Sequence, residues 1–247
     1  MNSKVKIAIL CALVLAILYF YTNREAKSAS EKVIVKPTAV DLGLPSGLLW
    51  ASHNIGATVP EEAGDYFACG EIKSKRLYSR DTYKYYRTDS LSDGYTKYCH
   101  ISSRGYKGYT DTLSTLEMCD DVANVQLGGK WRIPTKEDWL ELSRHCKQEC
   151  CEINGLKGCK VTGPNGNSIF FPFAGVCYDN SVLSHSLTEY PYPKRVGISG
   201  YYWSSSLCDG WTVNVWYAGF SSPHGFHVTD YSYRNYGFSV RAVCSAE

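Results

Sequence analysis

The stretch that decides the fold is GYYWSSSLCDGWTVNVWYAGFSSPHGFHVTDYSYRNYGFSVRAV, which runs from Gly200 to Val243. It opens with a short aromatic run, Tyr201 to Trp203, that is typical of a buried strand. It closes with strict alternation, because Phe238, Val240 and Ala242 fall on one face of an extended chain and their neighbours on the other. We therefore predict two core strands that bracket the segment between them.

The bracketed segment has the composition of a binding surface. It mixes Trp, Tyr, Ser, His, Asp and Gly, as antibody paratopes do, where rigid rings and small polar groups contact a ligand. This pattern favours binding over catalysis, and we predict no catalytic residue. The predicted ligand-binding side chains are Leu207, Cys208, Asp209, Trp211, Trp216, Tyr217, His224, Phe226, His227, Asp230, Tyr231 and Tyr233.

Two residues of the same stretch are predicted to be structural. Trp203 shares a strand face with Tyr201 and is expected in the core. Arg241 lies between apolar neighbours, so we interpret it as a fork that satisfies buried carbonyls or a carboxylate rather than as an anion contact.

Charge and composition exclude one class of function. Beyond residue 30 the chain carries 22 basic and 23 acidic residues, so it has no nucleic-acid footprint. Its 20 tyrosines against 8 phenylalanines leave many rings with a polar tip for surface use. A length of 247 residues leaves ample material for one large domain.

Eleven cysteines, ten of them beyond the N-terminal apolar run, indicate an oxidising compartment. Cys146, Cys150, Cys151 and Cys159 lack the paired C-x2-C spacing of structural zinc sites, which favours disulfides or buried thiols over zinc. The histidines at 224 and 227 would alternate faces in an extended segment. No metal site and no cofactor is therefore predicted.

The N-terminal region is predicted to lie outside the fold. Residues 1–22 contain basic residues followed by the apolar run Ile7–Tyr21, which is typical of a signal peptide or an N-terminal membrane anchor. Residues 23–39 are polar and predict a tether. Residues 40–247 then form one exported domain, which is either anchored in the membrane or secreted.

Helix and hairpin signals follow in the middle of the chain. The stretch Thr112–Val125 carries a broken apolar stripe and predicts a helix. A second helix is predicted after Thr135, with Asp138 completing a capping box. A turn at Gly163–Gly166 predicts a hairpin. The tyrosine-rich excursion Ser74–Thr110 either forms part of a ligand face or packs its own rings on the domain.

Seven stretches in this order resemble a known family. They are VDLGLPSGLLWAS (40–52), NIGATVPEEAGDYFACGE (54–71), TKYC (96–99), GGKWRIPTKEDWLEL (128–142), KVTGPNGNSIFFPFAG (160–175), GYYWSSS (200–206) and GFSVRAV (237–243). The set is similar to the Fibrobacter succinogenes major paralogous domain, which is abundant in Bacteroidetes surface proteins. The resemblance implies an α+β fold of the C-type-lectin-like kind, also seen in formylglycine-generating enzymes, with two helices, small antiparallel sheets and long loops.

The closing stretch is also similar to targets of diversity-generating retroelements in gut bacteria. Their C-type-lectin-like domains carry a variable region between a YWSSS opening and a GFSVRAV-like ending. Adenine-directed mutagenesis cannot create Trp, so Trp211 and Trp216 either belong to the framework or count against this interpretation. A neighbouring reverse transcriptase with a near-identical template repeat would support it.

The prediction is a membrane-tethered module for ligand binding or adhesion that displays residues 207–233 to a protein or glycan. The triplets of lectin calcium sites are missing from the sequence. One alternative is an assembly component of the envelope, with the same face packed permanently on a partner. An oxidase similar to formylglycine-generating enzymes is least favoured, since neither Cys208 nor Cys244 fits that family's copper-binding thiol pair.

Overall fold

The computed structural model describes residues 35–178, 193–208, 213–222, 225–228 and 231–246. The predicted anchor, residues 1–22, and most of the predicted tether lie outside the described residues. Contacts group residues 35–247 into one unit. Within the described ranges, no helix combines the length and apolar character needed to cross a membrane.

Twelve strands and two helices make up the regular structure of the described ranges. The strands are β1 (Ala39–Asp41), β2 (Leu48–Ala51), β3 (Tyr86–Thr88), β4 (Asp93–Tyr95), β5 (Lys147–Ile153), β6 (Leu156–Thr162), β7 (Ser168–Pro172), β8 (Ser199–Leu207), β9 (Asn214–Ser221), β10 (Gly225–His227), β11 (Tyr231–Tyr233) and β12 (Val243–Ser245). The helices are α1 (Val122–Leu127) and α2 (Lys136–His145), and short 3₁₀ turns occupy Ser102–Arg104, Tyr106–Gly108 and Met118–Asp120.

All the strand pairs between these elements are antiparallel. β1, β2 and β12 form one sheet, β5, β6 and β7 a second, and β3 pairs with β4. In the central sheet β9 pairs with β8 along one edge, while β10 and β11 share its other edge. The described part is therefore a mixed fold of two helices and several small antiparallel sheets, in agreement with the predicted class at this level.

The central sheet separates two hydrophobic cores. Successive side chains of a strand point to opposite faces. Val215 and Tyr217 of β9 therefore enter one core, which we call the tyrosine-side core, and Ala218 and Phe220 enter the other, the tryptophan-side core. The indole of Trp203 in β8 donates to the carbonyl of Phe67 at 2.6 Å, which fixes the sheet to the tyrosine-side core.

Helix α2 begins where its sequence predicts. The Oγ1 of Thr135 accepts the amide N–H of Asp138 at 3.2 Å, and the Asp138 carboxylate accepts the amide N–H of Thr135 at 2.7 Å. Trp139 and Leu142 are fully buried in the tryptophan-side core. The predicted capping box is confirmed.

The helix predicted over Thr112–Val125 is wrong for most of its length. Helix α1 starts only at Val122, because the Asp121 carboxylate accepts the amide N–H groups of Ala123 and Asn124 and so caps it. Before it, Met118–Asp120 form a 3₁₀ turn, and Thr115 makes a bridge to Ser206 at the end of β8, next to the bond that the Leu116 N–H donates to the Ser205 carbonyl at 2.9 Å. Pairing with a strand about ninety residues away overrides the weak local helical pattern.

The predicted hairpin at Gly163–Gly166 joins β6 to β7 and is confirmed. Gly166 has a φ of +88°, which a residue with a side chain adopts at a cost. In the segment before α2, Arg132 forms a single bridge with Val243.

The closing stretch is buried on both faces. The predicted strand over 238–242 is wrong as an element, because β12 begins only at Val243 and the preceding residues form isolated bridges, Phe238 with Phe67 and Ser239 with Tyr202. Phe238, Val240 and Ala242 are buried as predicted, but so are Ser239 and Arg241 on the opposite face. All three donor nitrogens of Arg241 are engaged: Nε binds Asn54 Oδ1 at 2.8 Å, and the two Nη groups bind backbone carbonyls, Phe170 O among them at 2.7 Å. The structural interpretation of Arg241 is confirmed, as is the core position of Trp203.

The ten cysteines of the described ranges are all free thiols, and seven of them are buried. Of the two alternatives kept open from the sequence, buried thiols are what the structure contains. Cys150 lies directly opposite Cys159 in the β5–β6 pair. Cys150 is exposed whereas Cys159 is buried, so the two thiols differ in access to solvent.

Candidate ligand-binding surface

Three of the predicted ligand-binding residues lie in the interior. Leu207 and Tyr217 belong to the tyrosine-side core, and Cys208 is buried beside them at the end of β8. The composition of this segment predicted a displayed surface, but a core covers each face of the central sheet. The prediction that Leu207, Cys208 and Tyr217 contact a ligand is therefore wrong, because these side chains pack beneath the surface.

Three further predicted residues are half-buried. The Lys136 ammonium lies 3.7 Å from the centroid of the Trp216 ring, a cation–π contact at the start of α2. Phe226 stacks on Phe220 with centroids 4.3 Å apart. The His227 imidazole covers Gly219, where an added Cβ would lie 2.2 Å from its Nε2, so a larger residue there would displace the imidazole. These side chains have mainly packing roles.

Tyr233 is the predicted residue with the most exposed ring among those described, at 51%. Its ring centroid lies 5.5 Å from that of Tyr236, and Tyr236 in turn stacks on Tyr178 at 5.1 Å. The Lys194 ammonium lies 4.3 Å from the Tyr178 ring. We call Tyr233, Tyr236 and Tyr178 the tyrosine ladder. Asp209, Trp211, His224, Asp230 and the side chain of Tyr231 lie outside the described residues.

The tyrosine-rich excursion packs most of its rings inward. Tyr78, Tyr83, Tyr85, Tyr95 and Tyr98 are buried in the tyrosine-side core. Their hydroxyls find backbone partners in some cases; for example, Tyr83 donates to the Cys69 carbonyl at 2.8 Å. The sequence left open whether the excursion forms part of a ligand face or packs its rings on the domain. These five rings pack on the domain.

Arg234 fastens the excursion to the C-terminal segment. Its two Nη groups donate to the carbonyls of Lys97 and Tyr98 at 2.8 to 3.1 Å. Its guanidinium carbon lies 4.3 Å from the centroid of the Tyr95 ring. Sequence reasoning missed this buried arginine, because its partners are more than 130 residues away in the chain.

A polar cleft of about 100 Å³ opens where the excursion meets the start of β9. We call it the arginine pocket. Val213 lines this pocket, and its carbonyl accepts the backbone N–H of Arg234 at 3.4 Å. The pocket is thereby connected to the segment that carries Tyr233. The pocket is lined by Arg80, Tyr86, Asp93, Tyr95, Ser103, Arg104 and Val213.

The pocket contains both positive and negative side chains, namely Arg80, Arg104 and Asp93. The guanidinium carbon of Arg80 lies 5.3 Å from the centroid of the Tyr86 ring, and the Tyr86 hydroxyl donates to the Asp93 carboxylate. Burial raises the pKa of Tyr95, and the positive charges of Arg234, Arg80 and Arg104 oppose that rise. Three cations therefore act on one buried hydroxyl. None of the pocket's charged residues was predicted, although exposed arginines between tyrosines are a composition typical of interfaces.

One further cluster has the composition of a cation site. Glu117, Cys119 and Asp120 bring their ligand atoms within 4.8 Å of one another. Lys97 contacts both carboxylates, and Lys84 reaches Asp120 at 3.0 Å, so the negative charge is already paired with ammonium groups. This cluster is an ion-pair network between the excursion and the segment that leads to α1.

A larger, mostly apolar cleft of about 360 Å³ lies beside the β5–β6 turn. Leu156 and Val196 line it and are 44% and 52% exposed. The Asn154 side chain donates to the Glu61 carboxylate at 2.6 Å, and Glu61 stands at the rim. Nothing in the described residues covers these apolar groups.

Comparisons with known proteins add no assignment. Neither a scan of protein-family models nor searches of curated proteins and of solved structures returned a match to this chain.

Proposed function

We propose that this protein is a ligand-binding or adhesion module of the bacterial cell envelope, with a C-type-lectin-like fold, exported and tethered through its N-terminal apolar segment. Its ligand is a protein or a glycan. The observation that supports this most directly is the tyrosine ladder, whose outermost ring, Tyr233, is 51% exposed at the end of a sheet buried on both faces.

A rigid support favours binding, because a side chain that is already held loses less conformational entropy when a ligand arrives. β11 carries Tyr233 and is paired to β9 in register, Tyr233 opposite Asn214. Arg234, the next residue, is fully buried and bound to two carbonyls. A tyrosine on such a base offers a ring and a hydroxyl at low entropic cost, as in antibody paratopes.

The test uses the full-length chain, purified in mild detergent, on glycan and protein arrays. Tyr233→Ala and Tyr236→Ala should each reduce capture of the array ligand at least about tenfold, as interface anchors do. Val125→Ala, which truncates an exposed apolar side chain on α1, is the control and should leave capture unchanged.

The alternative functions give different results. Envelope assembly predicts a stoichiometric complex isolated from native membranes in which Tyr233 is protected from chemical modification, with no array ligand. An oxidase predicts stoichiometric copper on titration of the thiols. Capture that is indifferent to both tyrosine variants contradicts the proposed role of the ladder.

A further inference from the structure

We propose that the arginine pocket binds the carboxylate of an acidic sugar, such as a uronic or sialic acid unit of a glycan. This inference rests on the proposed ligand-binding function and names the chemical class that the pocket selects. The residues assigned to recognition are Arg80, Arg104, Asp93, Ser103 and Tyr86.

Two unneutralised cations are the first reason. Within the described residues, neither Arg80 nor Arg104 has a carboxylate within ion-pair distance. Both line the same concave site of about 100 Å³, a size that suits one small anionic group. A guanidinium presents its N–H donors as a planar fork that matches a carboxylate. The pocket therefore holds two guanidinium groups against one carboxylate and has a net positive charge.

The acidic side chain in the same pocket argues for a sugar rather than a simple anion. Asp93 accepts one hydrogen bond from the Tyr86 hydroxyl, which leaves most of its acceptor positions open. The Asp93 carboxylate repels the charged group of any anion, whether sulfate, a peptide carboxylate or a uronate, but it accepts hydrogen bonds from the hydroxyls that a sugar carries beside its charge. A ligand with hydroxyls beside its carboxylate satisfies Asp93 and the arginines together, and the Ser103 hydroxyl adds a further polar partner.

The Tyr86 ring supplies the third element. It stands in the pocket wall, partly exposed, with Arg80 held over it at 5.3 Å. The C–H groups of a sugar ring pack on an aromatic ring, so Tyr86 contacts the part of the ligand that carries no hydroxyl. Charge, hydroxyl acceptor and apolar ring thus lie within one pocket, which is the set of contacts that an acidic sugar needs.

The experiment compares ligands that differ in the carboxylate alone. Calorimetric titrations of the detergent-purified full-length chain use glucuronate against glucose and galacturonate against galactose. N-acetylneuraminate, inorganic sulfate and a short poly-glutamate peptide complete the set. Binding of at least one acidic sugar, at least about tenfold tighter than its neutral counterpart, is the expected result. Equal binding of the neutral and acidic sugars, or no binding of any acidic sugar, overturns the proposal.

Pocket variants locate the site. Arg104→Gln and Arg80→Gln should each weaken acidic-sugar binding at least about tenfold, the scale of one charge-assisted contact. Arg87→Gln, on β3 but outside the pocket lining, is the matched control and should change nothing. Asp93→Asn should weaken the sugar but strengthen sulfate, because it removes the repelling charge. All three pocket residues are solvent-exposed, and an unchanged thermal midpoint verifies that the variants fold.

The outcomes separate this inference from the proposed function. Array capture that depends on Tyr233 but not on Arg80 or Arg104 leaves the proposed function intact and overturns the acidic-sugar site. Preference for sulfate or poly-glutamate over every acidic sugar also overturns it, in favour of a general anion or acidic-peptide site. If acidic-sugar binding depends on the arginines but not on Tyr233, the proposed role of the arginine pocket stands and the proposed role of the tyrosine ladder is contradicted.

Discussion

Arg241 Nε donates to Asn54 Oδ1 at 2.8 Å in the interior, where both side chains are fully buried. This bond joins the last apolar run of the chain to the loop that follows β2. Burial lowers the pKa of Arg241 to about 10, so the guanidinium is still charged at neutral pH. A buried charge persists because every donor nitrogen of the fork has an oxygen partner.

Replacing Arg241 with Ala should lower the free energy of unfolding by more than about 3 kcal/mol, because it leaves buried carbonyls without a donor. Denaturant titration measures the change. Arg241→Lys keeps the charge but loses the planar fork of donors. Its free energy of unfolding should therefore lie between that of the parent and that of Arg241→Ala. The exposed Arg87→Ala is the control, expected within about 0.5 kcal/mol of the parent. An unchanged midpoint for Arg241→Ala would show that the fork is dispensable.

Asp120 should make stability dependent on acid. Burial alone would raise its pKa, but hydrogen bonds, first of all from Lys97, outweigh burial and lower the pKa from 3.8 to about 2. A carboxyl whose folded pKa is depressed stabilises the fold above its unfolded pKa, and this stabilisation disappears as pH falls through the folded pKa. The contribution should be about 2 kcal/mol at neutral pH, lost between about pH 4 and pH 2.

The measurement is the difference in unfolding free energy between the parent and Asp120→Asn at several pH values. We expect this difference to narrow as pH falls from 4 towards 2. Asp81→Asn, at an exposed carboxylate in a turn, tests whether any acid group produces the same curve. A difference that stays constant over this range would mean that the ion-pair network does not shift the Asp120 titration.

Truncation of Tyr217 should destabilise the protein much more than truncation of Tyr233. Tyr217 packs against Tyr201 and Phe238 with ring centroids 5.7 and 5.3 Å apart, whereas Tyr233 is half-exposed. Tyr217→Ala should therefore cost about 3 kcal/mol or more, the usual cost of removing a large buried ring. Tyr233→Ala should cost less than about 1 kcal/mol. Thermal unfolding of both variants checks this, and equal midpoints would place Tyr217 at the surface.

The cysteines should fall into two reactivity classes. Cys119 and Cys150 are exposed and should react with maleimide in the folded protein within minutes. Cys69, Cys159 and Cys177 should react only after denaturation, since burial raises the pKa of each thiol to about 12. Mass spectrometry of labelled peptides with and without urea distinguishes the classes. Rapid labelling of Cys69 in the folded chain, or a disulfide-linked peptide, would contradict this arrangement.

Local signals in the sequence were sufficient for some elements. The capping box of α2 joins Thr135 to a residue three positions away, and the β6–β7 turn is set by Gly163–Gly166. Such interactions lie within a few residues and survive in any tertiary context. The stripe at 112–125 was also local but weak, and pairing with β8 overrode it.

The binding residues could be predicted only in part. The segment that contains β9 was predicted from its composition as a displayed binding surface, and composition does not show that a strand is buried on both faces. Tyr217 was therefore expected at the surface and lies in the core. The arginine pocket joins residues 80–104 to Val213, and no pattern in the sequence specifies that approach.

The sequence by itself determined the strand at Tyr201–Trp203, the turn at Gly163–Gly166, the start of α2 and the structural role of Arg241, because each depends on neighbours in the chain or on the strong desolvation cost of a charge between apolar residues. The tertiary structure alone decided which rings face solvent and which cations share a cleft. The exposure of a side chain depends on which other segments pack over it. Here those segments lie more than a hundred residues apart in the chain and meet only when they pack on the same sheet.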